Sequence, residues 1–269
     1  MRCWRFFRFR CDPDCQLKKL ATIVVFLVTA LFFTLGIKGK SRTSRGSVPR
    51  IVLWAWERPE NLSFIDPKSV AVAFLARTIE LSGNDMEVHP RMQPLEVPNS
   101  TTLIAVVRIS TSHKSTPSLS NDQLRATEES ILRAVQLPEI RGLQIDFDAT
   151  VSERTFYRSL LDSLRRRLPD SLTLSITALA SWCLGDPWIA DLPVDDAIPM
   201  LFRLGPDSLD VLDRLNKGED FSIPICRHSV GVSTDEPFPR TIHGRSVYVF
   251  NPKPWTAGSF QSVLKELDK

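Results

Sequence analysis

From residue 51 to residue 251 short apolar runs alternate with longer amphipathic ones, a pattern that predicts an α/β fold. Eight runs read as strands: 51–56, 86–90, 102–109, 142–149, 172–178, 197–202, 230–234 and 246–251. Helical periodicity fills several of the gaps. One predicted helix runs from an Asp66 cap to Gly83, and two more cover 120–137 and 152–168, the last with Phe156, Leu160, Leu161, Leu164 and Leu168 as its apolar stripe. Shorter helical pieces are expected at 206–216 and 258–267. No helix is evident between the second and third runs or between the seventh and eighth. Eight strands with interrupted helices predict a trimmed eight-stranded (β/α) barrel of the TIM type. A doubly wound sheet is the alternative, but no Gly-rich turn follows the first strand, which argues against a nucleotide site.

A different pattern precedes this region. Residues 20–37 form eighteen positions without a charge, near the ~20 that span a hydrocarbon core. No small-residue cleavage site follows, so the segment is expected to be an uncleaved signal anchor rather than a signal peptide. The organisation is thus a basic segment at 1–19, a transmembrane helix at 20–37, a linker at 38–49 and the barrel at 50–269.

Charge sharpens this division. Of the 34 Lys and Arg in the chain, eleven fall in residues 1–50 beside two Asp, leaving 23 basic and 29 acidic residues for the remainder. The folded part is therefore acidic, which excludes a nucleic-acid-binding surface and puts the basic residues beside lipid headgroups. Positive charges flank both ends of the apolar run, with a slight excess on its N-terminal side. The expected location is a bacterial inner membrane, crossed once, with the barrel in the periplasm. There Cys183 and Cys226 could pair, or remain separate buried thiols, while Cys3, Cys11 and Cys15 precede the span. The four histidines, His89, His113, His228 and His243, lack metal-ligand spacing, and Cys11–Cys15 has no matching second pair. No metal or cofactor is expected.

The chemistry centres on RGLQIDFDAT, residues 141–150. Leu143, Ile145 and Phe147 alternate with Gln144, Asp146 and Asp148, so a strand turns the polar set to one face. In a barrel that face is interior, where a carboxylate must be hydrogen-bonded or put to use. The polar set either forms an interior network holding the barrel together or builds an active site at the strand's carboxyl end.

This strand, its following helix and the runs at 172–178 and 197–202 resemble the core of the chitinase-like glycoside hydrolases, whose fourth strand reads D-G-x-D-x-D-x-E. On that resemblance Gln144 stands for the first strand aspartate, Asp146 for the aspartate that assists the substrate acetamido group, and Asp148 for the general acid. The chain departs from the motif at three places: Asp148 is shorter than the usual Glu, Gln144 replaces Asp, and Phe202-Arg203 replaces the Tyr-Asp of the sixth strand. The longer stretch from VLWAWERPE to YVFNPKPW, including SWCLGDPW and GVSTDEPFP, more closely resembles an uncharacterised bacterial family of unknown function. The resemblance implies a glycoside hydrolase acting on a cell-envelope or extracellular polysaccharide. The alternative is a catalytically inactive barrel that binds glycans or envelope proteins. The candidate second carboxylates are Glu57, Asp186, Asp235 and Glu236. Trp56, Trp182 and Trp255 are expected to line the pocket, where flat rings can stack on sugars.

Overall fold

The computed structural model describes residues 48–136, 139–205 and 208–268. The predicted membrane helix at 20–37 lies outside them. Among the described residues no helix is long and apolar enough to cross a membrane.

Eleven strands form among the described residues: β1 (Ile51–Ala55), β2 (Glu60–Asn61), β3 (Val70–Ser82), β4 (Asp85–Pro90), β5 (Leu95–Glu96), β6 (Leu103–Thr111), β7 (Ile140–Asp146), β8 (Thr173–Leu179), β9 (Asp196–Met200), β10 (Ser229–Ser233) and β11 (Ser246–Phe250). Eight of them close a parallel ring in the order β1-β3-β6-β7-β8-β9-β10-β11, and β1 completes it by pairing with both β11 and β3. Helices α1 (Asn121–Ala134) and α2 (Arg154–Arg167) cover the crossings on either side of β7. Shorter helices α3 (Ala180–Leu184) and α4 (Ser208–Asn216) follow β8 and β9, and α5 (Ala257–Leu267) follows β11.

Where the chain was expected to form a helix, at 66–83, it forms β3 instead. Its residues VAVAFLARTIELS fit a helical stripe, but they also form the continuous apolar run of a parallel strand buried on both faces. At thirteen residues β3 is long for a strand. Asp66 still caps, but it caps a turn: its carboxylate accepts from the Lys68 amide at 3.2 Å and from Ser69 Oγ at 2.9 Å. Those bonds hold its pKa below the ordinary carboxylate value.

The run at 86–90, read as the second strand of the ring, is β4, which lies outside it and pairs antiparallel with the far half of β3. Gly83, at φ +51°, opens the two-residue turn between them. The ring is trimmed elsewhere too. β1 reaches β3 through a loop whose β2 pairs with β5, and between β10 and β11 there is only a 3-10 turn, Arg240–Ile242.

Alternation divides the strand residues between two cores. Leu53, Val72, Val107, Leu143, Ile145, Leu174, Ile176, Val230 and Val249 face outward into the core that also holds Phe156, Leu160, Leu161 and Leu164 of α2. Val52, Trp54, Ala71, Ala73, Leu75, Ile104, Val106, Ile198 and Tyr248 fill the interior. Trp54 is the largest of these, and Gly231 is what makes room for it. A Cβ at Gly231 would lie 2.8 Å from the indole. Trp54 Nε1 donates to Gln144 Oε1 at 2.7 Å, so the barrel floor is pinned by an indole–amide bond between β1 and β7.

Ring closure is reinforced by the segment after β11. Trp255 donates through Nε1 to the Trp54 carbonyl at 3.0 Å, and through its amide to Glu60 at 2.8 Å. Buried Glu60 is paired in turn with Arg58 at 2.8 Å, and Arg58 donates to the carbonyls of Asn251 and Pro252. A disulfide joins Cys183 of α3 to Cys226, whose Cα atoms are 5.9 Å apart.

Candidate functional site

Strand carboxyl ends and the loops after them enclose a pocket of about 440 Å³. β7 supplies Asp146 and, two residues beyond its end, Asp148. Thr177 comes from β8, Arg108 from β6, Met200 and Phe202 from β9 and its exit, and Phe250 from β11. Trp56 closes the wall after β1. Alternation on β7 accounts for the carboxylates: Gln144, Asp146 and Asp148 share a parity, and Ile145 and Phe147 turn away to pack beneath α2.

Asp146 is the anchored member of the pair. Thr177 Oγ1 donates to its Oδ1 at 2.7 Å, and the Arg108 guanidinium lies 3.9 Å from its Oδ2. Burial raises its pKa most, with the charge of Asp148 adding to the rise, while Thr177 and Arg108 oppose it. Asp148 is open to the pocket, yet the protein packed around it raises its pKa too, against Arg108. The two carboxylates therefore share a tendency to keep a proton, and the groups that favour an ionised form are concentrated on Asp146. Behind them Tyr157 of α2 packs on Phe147 at 5.1 Å. Burial and the two aspartates hold its phenol well above the usual pKa, so it stays neutral.

The aromatic wall is ordered. Phe202 and Phe250 stack at 5.8 Å and 7°, Trp56 meets Phe250 edge-on at 6.3 Å, and the Arg203 guanidinium lies 5.2 Å from the Phe250 ring centre.

Of the expected site residues, the pocket brings together Asp146, Asp148 and Trp56. Gln144 lies beneath it, fully buried, with Oε1 committed to Trp54. Glu57 is on the far side of Trp56, in a separate depression with Arg77, Thr78 and His89, where Thr78 donates to it at 3.3 Å. Asp186 pairs with Arg154, outside the pocket lining. Asp235 and Glu236 also fall outside the lining and instead hold Arg203: Asp235 stands 3.5 Å from its guanidinium, and Glu236 accepts from its amide at 3.0 Å. Trp182 is buried against Trp188 at 4.9 Å, and Trp255 serves the ring closure described above. Neither lines the pocket.

The lining also holds Arg108, Thr177, Phe250 and Trp54, together with Phe202 and Arg203, which the sequence marks only as departures from the chitinase pattern. Alternation was the available signal, since Ile104, Val106 and Arg108 share one face of β6, and Tyr248 and Phe250 one face of β11. Among the described residues no group of His, Cys, Asp or Glu is arranged to hold a metal ion.

Residues 99–196, which include the carboxylate strand, match a domain of unknown function (DUF3142). The sequence has no match among curated proteins. Among solved structures the chain is similar to one from Streptomyces coelicolor assigned as chitinase A, with a TM-score of 0.53 at 10% identity, over 81% of this chain and 96% of that one. It is also similar to a family GH18 chitinase from Chromobacterium violaceum, with a TM-score of 0.46 at 11% identity, over 80% of this chain and 85% of that one. The fold is that of the chitinase-like barrels.

Proposed function

We propose that this barrel is a membrane-anchored glycoside hydrolase-like protein that acts on a cell-envelope or extracellular polysaccharide. One observation carries the reading: two coupled carboxylates with raised pKa values stand in an aromatic-walled pocket at the carboxyl ends of the strands, where barrel enzymes build active sites. In this reading Asp148 protonates the glycosidic oxygen as the bond to the anomeric carbon breaks. Asp146, whose ionised form Thr177 and Arg108 favour against the burial that raises its pKa, faces the positive charge that develops on the sugar. Water then adds to the anomeric carbon and returns a proton to Asp148. Trp56, Phe202 and Phe250 offer apolar faces for the sugar ring.

A phenylalanine at position 202, in place of the tyrosine of the chitinase pattern, offers no hydroxyl for an acetamido group. The substrate is therefore not tied to N-acetyl sugars. The anchor is proposed from residues 20–37, and a periplasmic location is supported by that segment, by the acidic folded region and by the Cys183–Cys226 bond, which suits an oxidising compartment.

A binding module is the second reading. It is favoured by the placement of Glu57, Asp186, Asp235 and Glu236 outside the pocket, which leaves Asp146 and Asp148 as the carboxylates of its lining. The hydrolase and a glycan-binding module both require a glycan ligand. Titrating the full chain in detergent against a panel of envelope and exopolysaccharide oligosaccharides should give saturable binding, weakened roughly tenfold by Trp56→Ala through loss of ring stacking. A panel without a single ligand, or a Trp56→Ala variant that binds like the parent, contradicts the glycan reading.

A further inference from the structure

Two arginines bracket the carboxylates. Arg108 ends its alternating set on β6, Arg203 follows β9, and the β7–β8 pair carrying Asp146, Asp148 and Thr177 lies between those strands in the ring. The Arg203 side chain is 54% exposed and that of Arg108 48%, so neither guanidinium is consumed by packing. Arg108 lies 3.9 Å from Asp146, beyond hydrogen-bonding distance, and so retains donors for another partner.

Arg203 is placed with more care than a solvated arginine needs. Its backbone is left-handed, at φ +51°, an unfavourable conformation for a residue with a side chain. Glu236 holds its amide and the Phe202–Phe250 stack lies under its guanidinium, while Asp235 reaches one terminal nitrogen at 3.5 Å. An exposed pair at that distance contributes little and exchanges readily for a ligand anion. The planar fork of donors that remains matches a carboxylate or a sulfate.

We propose that the pocket recognises an anionic substituent on the sugar, a carboxylate or a sulfate ester, through Arg203 and Arg108. The proposal rests on the glycan reading above and narrows it to acidic polysaccharides. The raised pKa values of Asp146 and Asp148 fit it, because a dyad that keeps a proton repels an anionic sugar less.

The test uses the full chain in detergent and three ligands: a uronic acid oligosaccharide, the same oligosaccharide after carboxyl reduction, and the reduced form carrying sulfate esters. At least one anionic ligand should bind roughly tenfold or more tighter than the neutral one, and the advantage should shrink as salt is raised. Arg203→Gln and Arg108→Gln should each bring the anionic-to-neutral ratio toward one, with a melting curve like the parent's. Preference for the uronate alone, the sulfate alone or both supports the proposal and identifies the anion. Equal affinity for neutral and anionic forms overturns it while leaving the glycan reading in place. Absence of binding to all three, together with an empty glycan panel, brings down both.

Discussion

Replacing Trp54 by alanine is expected to destabilise the barrel by about 3–5 kcal/mol, the range for losing a buried aromatic and leaving its cavity. The indole fills the interior from β1, touches Gly231 across the ring, lies 5.4 Å from Tyr248 and donates to Gln144. Its removal leaves both a void and a buried Gln144 Oε1 without that donor, and an unsatisfied buried acceptor adds a further ~1–3 kcal/mol. A domain of this size should then melt roughly 10 °C lower or more. Trp56→Ala, two residues on, removes a pocket wall rather than a floor and should melt close to the parent. Thermal unfolding of the two variants side by side checks the assignment. Equal melting temperatures would mean that Trp54 does not fill the interior.

Asp148→Asn is expected to lower the rate of glycan cleavage by roughly 10² to 10⁴, the usual contribution of a positioned general acid. The substitution keeps the side chain's size and leaves the pocket charge near that of the protonated acid, so ligand affinity and melting temperature should stay near the parent's. The contrast with Asp146→Ala is informative. Asp146 is the residue bound by Thr177, so its variant should lose rate and also register in stability, because Thr177 Oγ1 loses the acceptor of a part-buried hydrogen bond. A fall in melting temperature for Asp148→Asn with activity intact would make Asp148 structural and remove the acid from the mechanism.

Much of this architecture is written in the alternation of residues along the chain. β7 shows it best: Leu143, Ile145 and Phe147 pack beneath α2, and Gln144, Asp146 and Asp148 run up the inner face to the pocket. β3 shows where alternation fails. A strand buried on both sides is apolar at every position, so Val70–Leu75 satisfy helical and strand periods alike, and only the ring's need for a second strand decides between them. Aromatic residues fail for a different reason. Trp56 shares its parity with inward-facing Trp54 and was legible as a wall residue, whereas Trp182 and Trp255 lie in a helix and a loop whose orientation depends on Trp188 and Glu60. The candidate second carboxylates show the same limit. Asp186, Asp235 and Glu236 lie near strand exits and are absent from the pocket lining, engaged instead by arginines distant in sequence: Arg154 holds Asp186, and Arg203, itself a lining residue, holds Asp235 and Glu236. Arg203 stood out in sequence only as a departure from the chitinase pattern and Arg108 not at all; ring closure places them on either side of the carboxylates.

Whether the two carboxylates do chemistry is measured most directly by the pH dependence of reducing ends released from a bound glycan. A raised pKa on Asp148 means that the protonated acid survives to higher pH than an ordinary aspartate allows. Cleavage should therefore persist at mildly acidic pH and fall as pH rises through that pKa, with Asp148→Asn flat and low throughout. Tight glycan binding with no reducing ends released at any pH would contradict catalysis and leave the barrel a binding module.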